Sequence, residues 1–152
     1  MSRTVHILNG PNINMTGQRD ASLYGSTGYT DLCNALIGEA TSLGLEAVIR
    51  QTNSQGELIT WVQQLAQHPE PLIINAGGYT HTSIALMDAL ALCRAPVVEV
   101  HMSNVHAREE FRRHSFVSQV ARGVIAGFGA ESYSLALAWV ARQPSEPEVH
   151  HA

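Results

Sequence analysis

Short apolar runs that each break off into a compact polar block recur along this chain, and their alternation with helical stripes leaves few folds open. Val5 to Leu8 runs into Asn9-Gly-Pro-Asn-Ile-Asn14, Leu72 to Ile74 into Asn75-Ala-Gly-Gly-Tyr-Thr-His81, and Val97 to Val100, carrying Glu99, into His101-Met-Ser-Asn104. Between them, Tyr29 to Leu43 places Leu32, Leu36, Ala40 and Leu43 at helical spacing, with Gly44 where a C-cap glycine belongs. Leu45 to Ile49 reads as a strand, and Ser54-Gln-Gly-Glu57 is a capping-box pattern opening a helix that presents Leu58, Val62 and Leu65. Thr82 to Cys93 reads as a third helix, Val124 to Phe128 as a fifth strand and Glu131 to Arg142 as a last helix. Five strands alternating with helices predict a three-layer α/β domain with a five-stranded parallel sheet in flavodoxin-like order. All strand carboxyl ends then point to one edge, where ligands bind. Asparagines, histidines and glycine turns far apart in sequence are expected to meet there.

A chain of 152 residues buries roughly 68–70% of its unfolded surface, enough for one domain with its own core. That domain is expected over residues 1–143, with the proline-containing tail 144–152 disordered. A net charge of -4 argues against nucleic acid or an anionic membrane, both of which call for a basic surface. Charged residues make up only 14%, against about 25% in typical soluble domains, which favours a surface partly covered by further copies of the chain. All 9 basic residues are Arg, so carbonyl chemistry here must run without a lysine imine. Cys33 and Cys93 fall within apolar helical patterns and read as buried hydrophobes in a reducing compartment. The start carries a polar Asn-Gly-Pro turn where a signal peptide needs its apolar stretch, and no segment reaches the ~18 apolar residues of a membrane span. The expected location is cytoplasmic.

Candidate chemistry is narrowed by what is missing. Gly127-Phe-Gly129 lacks the third glycine of a dinucleotide fingerprint, the first turn is poor in the hydroxyls that hold flavin phosphate, and no Gly-x-Ser-x-Gly elbow exists. His81, Glu99, His101 and His106 match no metal-ligand spacing, so no metal is expected. Hydrogen-bonding amides, histidines, arginines and a tyrosine on the loop Met15 to Gly25 suit acid–base chemistry on an anionic, oxygen-rich small molecule. Arg112 can bind oxyanions bidentately, and His101 is a natural proton donor near neutral pH. Glu99, two residues earlier on the same strand, faces the same side and can orient the ring. Tyr24, beside Arg19 on its loop, is a less obvious base. A non-catalytic small-anion binding module of the same fold is the alternative, although it has no use for a Tyr24–Arg19 pair.

Taken together, Asn9-Gly-Pro-Asn-Ile-Asn14, Tyr24-Gly-Ser-Thr, Gln51-Thr-Asn-Ser-Gln-Gly-Glu-Leu-Ile, Asn75-Ala-Gly-Gly-Tyr-Thr-His-Thr-Ser83, Val98-Glu-Val-His-Met-Ser-Asn-Val-His-Ala-Arg-Glu109, Arg112-Arg-His-Ser and Gly123-Val-Ile-Ala-Gly-Phe-Gly129 closely resemble the type II 3-dehydroquinate dehydratases over about residues 4–142. The resemblance implies a flavodoxin-like subunit, a dodecamer built from trimers, and cofactor-free dehydration of 3-dehydroquinate to 3-dehydroshikimate in the shikimate pathway. It implies Tyr24 as the base that removes the C2 proton, Arg19 as the group lowering its pKa, and Asn12 as holder of an enolate-stabilising water. His101, oriented by Glu99, is implied as the acid. Asn75, His81, Arg112 and the backbone amides of Met102 and Ser103 would bind substrate, with Asp88 reaching the site from a neighbouring subunit. The lid departs from the usual family pattern at Gln18-Arg-Asp-Ala-Ser-Leu23 and at Met15-Thr, but keeps Arg19 and Tyr24 in place.

Overall fold

The structure, a computed structural model, describes residues 2–17 and 28–145. Arg19 and Tyr24, most of the expected lid and most of the expected disordered tail lie outside the described residues. Five strands, β1 (Arg3–Asn9), β2 (Leu45–Gln51), β3 (Leu72–Asn75), β4 (Val97–His101) and β5 (Gly123–Ala126), form one sheet in the order β2-β1-β3-β4-β5. Every pairing is parallel, which is the flavodoxin-like order. Helices α1 (Tyr29–Ser42) and α4 (Glu131–Ala141) cover one face, and α2 (Gln55–Leu65) and α3 (Ile84–Leu90) the other. The alternation of side chains along a strand divides the core accordingly. Val5, Ile7, Ile73, Val98 and Val100 join the cluster beneath α1 and α4, whereas Leu8, Leu72, Ile74 and Val97 join that beneath α2 and α3.

Local chemistry sets the element ends. Gly44 follows α1 at φ +77, the left-handed conformation that glycine adopts without steric cost. Ser54 caps α2 by accepting the Glu57 backbone N–H at 3.1 Å, but the other half of the expected capping box comes from elsewhere: Ser54 N–H donates to Thr52 Oγ1 at 3.0 Å. Two expected spans change. The third helix is shorter than Thr82 to Cys93, because residues 77–81 form a 3-10 turn and the Ser83 hydroxyl caps the helix by accepting from Leu86 N–H at 2.9 Å, so that it starts at Ile84, two residues later. The fifth strand runs Gly123–Ala126 rather than to Phe128, since Gly127 and Gly129 take positive φ and turn the chain away. Cys33 and Cys93 are half-buried rather than fully buried. Burial pushes the Cys93 thiol up to about 11 and raises that of Cys33 as well, so neither is a thiolate nucleophile near neutral pH.

Arg3 secures the end of α4. Its Nη1 donates to the carbonyls of Gln143 at 2.9 Å and Pro144 at 3.2 Å, and its Nη2 to those of Ala141 at 3.0 Å and Val140 at 3.4 Å. A cation here satisfies orphan carbonyls and sits at the negative end of the helix dipole. Arg3→Ala is expected to cost about 1–2 kcal/mol, read as a lower urea midpoint at constant slope; an unchanged midpoint would mean that water replaces the guanidinium without loss.

Candidate active site

The carboxyl ends of β1, β3 and β4 converge through their register. Asn9 pairs with Asn75, and Ile74 with Glu99, so the polar blocks that follow these strands open onto one edge. Two of those turns touch backbone to backbone. A Cβ placed on Gly10 would lie 2.4 Å from the Ala76 carbonyl oxygen, and one on Gly77 would lie 2.9 Å from that of Pro11. Only glycine permits this approach. The first turn is also held from its other flank: Gln51 Nε2 donates to the Gly10 carbonyl at 3.1 Å, and Asn12 N–H donates to Asn53 Oδ1 at 3.0 Å. Asn12 itself sits at φ 69, a left-handed position that asparagine tolerates better than most residues.

Between these turns and the segment after β4 lies a cleft. Asn12, Asn75, His81, His101, Met102, Ser103 and Arg112 line it, so these expected site residues are brought together, and Arg108 joins them. Asp88 does not reach it from within this chain. It is exposed on α3, near the similarly exposed Ile84 and Leu92. Glu99 lies behind the cleft wall, 1% exposed. Among the described residues no group of three His, Cys, Asp or Glu side chains could hold a metal ion, and no helix is long and apolar enough to cross a membrane.

The side chains of His101, His81, Arg112 and Asn75 are each braced. His101 Nε2 donates to Glu99 Oε2, and among the described residues Nδ1 has no hydrogen-bond partner. Burial pushes the Glu99 carboxyl up, but the hydrogen bond and charge of His101 and the hydroxyls of Ser118 and Ser115 outweigh it and hold the group below the usual carboxylate range. Glu99 is therefore ionised at neutral pH. The His81 ring stacks near His101 with centroids 6.3 Å apart. His81 Nδ1 donates to the His114 carbonyl at 2.8 Å, leaving Nε2 as an acceptor. Burial lowers the His81 pKa, only partly opposed by that carbonyl, and the charges of His101 and Arg112 lower it further. Arg112 is steadied by Glu109, with Nε to Oε2 at 2.6 Å. Asn75 ends a buried relay: Nδ2 donates to the Tyr133 hydroxyl at 2.9 Å, Tyr133 donates to Asn9 Oδ1 at 2.6 Å, and Asn9 Nδ2 donates to the Tyr29 hydroxyl at 3.2 Å. The Asn75 Oδ1 accepts from Gly77 N–H at 3.3 Å, so one Nδ2 hydrogen is left for the cleft. Sequence reasoning missed the supporting Asn9, Ser115, Ser118 and Tyr133, although Asn9 opens the most polar turn in the chain.

The shifts of His81 and Glu99 act on stability in the same direction. The native pKa of His81 lies below its unfolded value of about 6.5, so the unfolded chain takes the proton first and stability falls as pH drops below that value. The Glu99 contribution is complete above its unfolded value of about 4.3 and is lost as pH falls through the lower native value. The melting temperature should therefore begin to fall below about pH 6.5 and fall again below about pH 4.3. A melting temperature that stays flat from pH 7 to pH 5 would contradict the His81 contribution.

Comparison with known proteins gives the chain its family. The dehydroquinase class II family profile matches residues 3–141. The 3-dehydroquinate dehydratase of Mycobacterium avium (strain 104) is 50% identical over 141 residues, which is 93% of this chain and 99% of the relative. That of Mycobacterium bovis (strain BCG / Pasteur 1173P2) is 52% identical over 137 residues, 90% of this chain and 93% of the relative. The crystal structure of type II dehydroquinase from Propionibacterium acnes superposes with a TM-score of 0.92 at 44% identity, covering 94% of this chain and 99% of that one. With the family profile spanning nearly the whole chain and the fold matching throughout, the chain belongs to the dehydroquinase class II family.

Proposed function

We propose that this chain catalyses the trans-dehydration of 3-dehydroquinate to 3-dehydroshikimate through an enolate, with Tyr24 as base and His101 as acid. The observation that carries the reading is the buried Glu99–His101 pair opening onto a cleft lined by Asn75, His81 and Arg112 in a member of this family. The Tyr24 phenolate takes the C2 proton, and the electron pair of that bond moves toward the C3 ketone oxygen, giving an enolate. Arg19 holds the Tyr24 pKa down, and a water held by Asn12 donates to the enolate oxygen, stabilising charge where it develops. The enolate then collapses, forming the C1–C2 double bond and breaking the C1–O bond, while His101 gives its proton to the departing hydroxyl, which leaves as water. Solvent returns the proton from Tyr24 to His101. Asn75, neutral His81, Arg112 and the backbone amides of Met102 and Ser103 bind the carboxylate and hydroxyls.

No step in this sequence needs a metal, a redox cofactor or a lysine imine. The test is to mix metal-stripped protein with 3-dehydroquinate and follow the ultraviolet absorbance of the conjugated enone. No absorbance rise, with binding retained, would turn the reading toward a small-anion binding module.

The assembly belongs to the same proposal: a dodecamer built from trimers, acting in the cytoplasm, with Asp88 from a neighbouring subunit bracing the site through Arg113. Asp88 and Arg113 are both exposed on the isolated subunit, and removing one partner of a pair desolvated on assembly strands the other charge. Asp88→Ala is expected to weaken trimer assembly and raise KM together, measured by light scattering and kinetics on one preparation. Unchanged mass and unchanged KM would return Asp88 to a solvated helix face.

A further inference from the structure

Five consecutive residues, 114–118, hold both cleft histidines from behind, and the proposed chemistry does not use them. The His114 carbonyl takes the Nδ1 hydrogen of His81. Phe116 N–H donates to the Thr80 carbonyl at 2.9 Å, and Val117 is 1% exposed in the core beneath α2 and α3, so the segment is anchored at its middle. On either side of that anchor a serine turns inward. Ser115 Oγ donates to Glu99 Oε2 at 2.8 Å, and Ser118 Oγ donates to Glu99 Oε1. Ser118 N–H in turn donates to Ser115 Oγ at 3.0 Å, which occupies a lone pair of that hydroxyl and leaves its hydrogen for the carboxylate.

Glu99 thus receives three side-chain donors, and an acceptor shared in this way has one consistent charge state. A protonated carboxyl would bring a hydrogen into a shell already made of donors, so the arrangement selects the carboxylate. An ionised Glu99 in turn requires that Nε2 of His101 carry a hydrogen, which assigns any second ring proton to Nδ1. We propose that Ser115 and Ser118 are positioning residues that hold Glu99 ionised and so keep the transferable proton of His101 on Nδ1, toward the cleft. This rests on the reading of His101 as the acid, and it makes elimination, not enolate formation, the step these serines serve.

The test measures two rates on each variant: dehydration by enone absorbance, and exchange of the C2 proton with deuterated solvent by proton NMR. Ser118→Ala is expected to lower kcat for dehydration about ten- to a hundredfold, the rate equivalent of one lost hydrogen bond to a charged group. Exchange at C2 and KM should stay within about twofold of the parent protein, a change too small to register against one lost bond to a charge. Ser115→Ala should show the same split, and Ser118→Thr, which keeps the hydroxyl, should recover most of the rate. Circular dichroism on each variant reports folding; if one alanine variant fails to fold the other decides, and failure of both makes the serines structural and overturns the proposal. Dehydration and exchange falling in step, or a Ser115→Ala/Ser118→Ala double variant with undiminished kcat, would overturn it too. His101→Ala measured alongside separates the two claims. If it dehydrates normally, the acid assignment is at fault; if it does not while the serine variants do, only the serines are.

Discussion

Tyr24→Phe is expected to abolish measurable turnover while leaving substrate binding largely intact. The chain has four tyrosines, and three are committed to other work. Burial raises the phenol pKa of Tyr29 and of Tyr133, which serve in the relay behind Asn75, and the Tyr79 hydroxyl donates to the Asn53 carbonyl at 2.7 Å. Neither raised phenol is suited to lose its proton near neutral pH. Tyr24 follows Arg19 by five residues in the sequence. Bringing a phenol from its ordinary value near 10 to about 7 takes roughly 4 kcal/mol of electrostatic help, which a close guanidinium in a water-poor site can supply. Removing a general base costs about 10²- to 10⁴-fold in rate, and more when no other group can substitute. Arg19→Ala should slow the reaction as well and move the acidic limb of its pH profile to higher pH. The assignment is checked by steady-state kinetics with binding measured separately: a Tyr24→Phe protein with near-normal kcat removes tyrosine from the mechanism.

His101→Ala should separate the two halves of the reaction. A hydroxide-like leaving group departs poorly from C1 without a proton, so loss of the acid is expected to lower dehydration by about 10²- to 10⁴-fold. Enolate formation depends on the base and the ketone, and it should continue. Solvent deuterium should therefore still enter C2 of 3-dehydroquinate although product scarcely accumulates. The variant also strands Glu99, a carboxylate held by His101, Ser115 and Ser118, so the melting temperature should fall with it. His101→Gln, which keeps a donor for Glu99, should recover stability but not turnover. Exchange that stops as completely as dehydration, once slow product release is excluded, would mean that His101 takes part in both proton transfers.

The alternation of apolar runs with helical stripes was sufficient for the layer order, because period-2 and period-3.6 patterns bury surface in only a few ways. Its errors fall at element ends. Nothing in Thr82 to Cys93 marks that a 3-10 turn precedes Ser83 and that this serine caps the helix, and the shift of β5 follows from the positive φ of Gly127 and Gly129. Both depend on the chain's path, not on local propensity.

For the site, the meeting of Asn12, Asn75, His81 and His101 in one cleft was legible, because the polar blocks that carry them follow strands whose carboxyl ends share an edge; the roles proposed for them come from the family resemblance. The Glu99–His101 contact was also legible, since residues two apart on a strand share a face. Tertiary structure alone supplied the rest: the 2.4 Å approach that reserves Gly10 for glycine, the relay from Asn75 through Tyr133 and Asn9 to Tyr29, and the serines 16 and 19 residues from Glu99 that complete its donor shell. A hydroxyl's partner is set by direction and distance in three dimensions. Composition and periodicity encode which surfaces are buried, but not which donor meets which acceptor once they are.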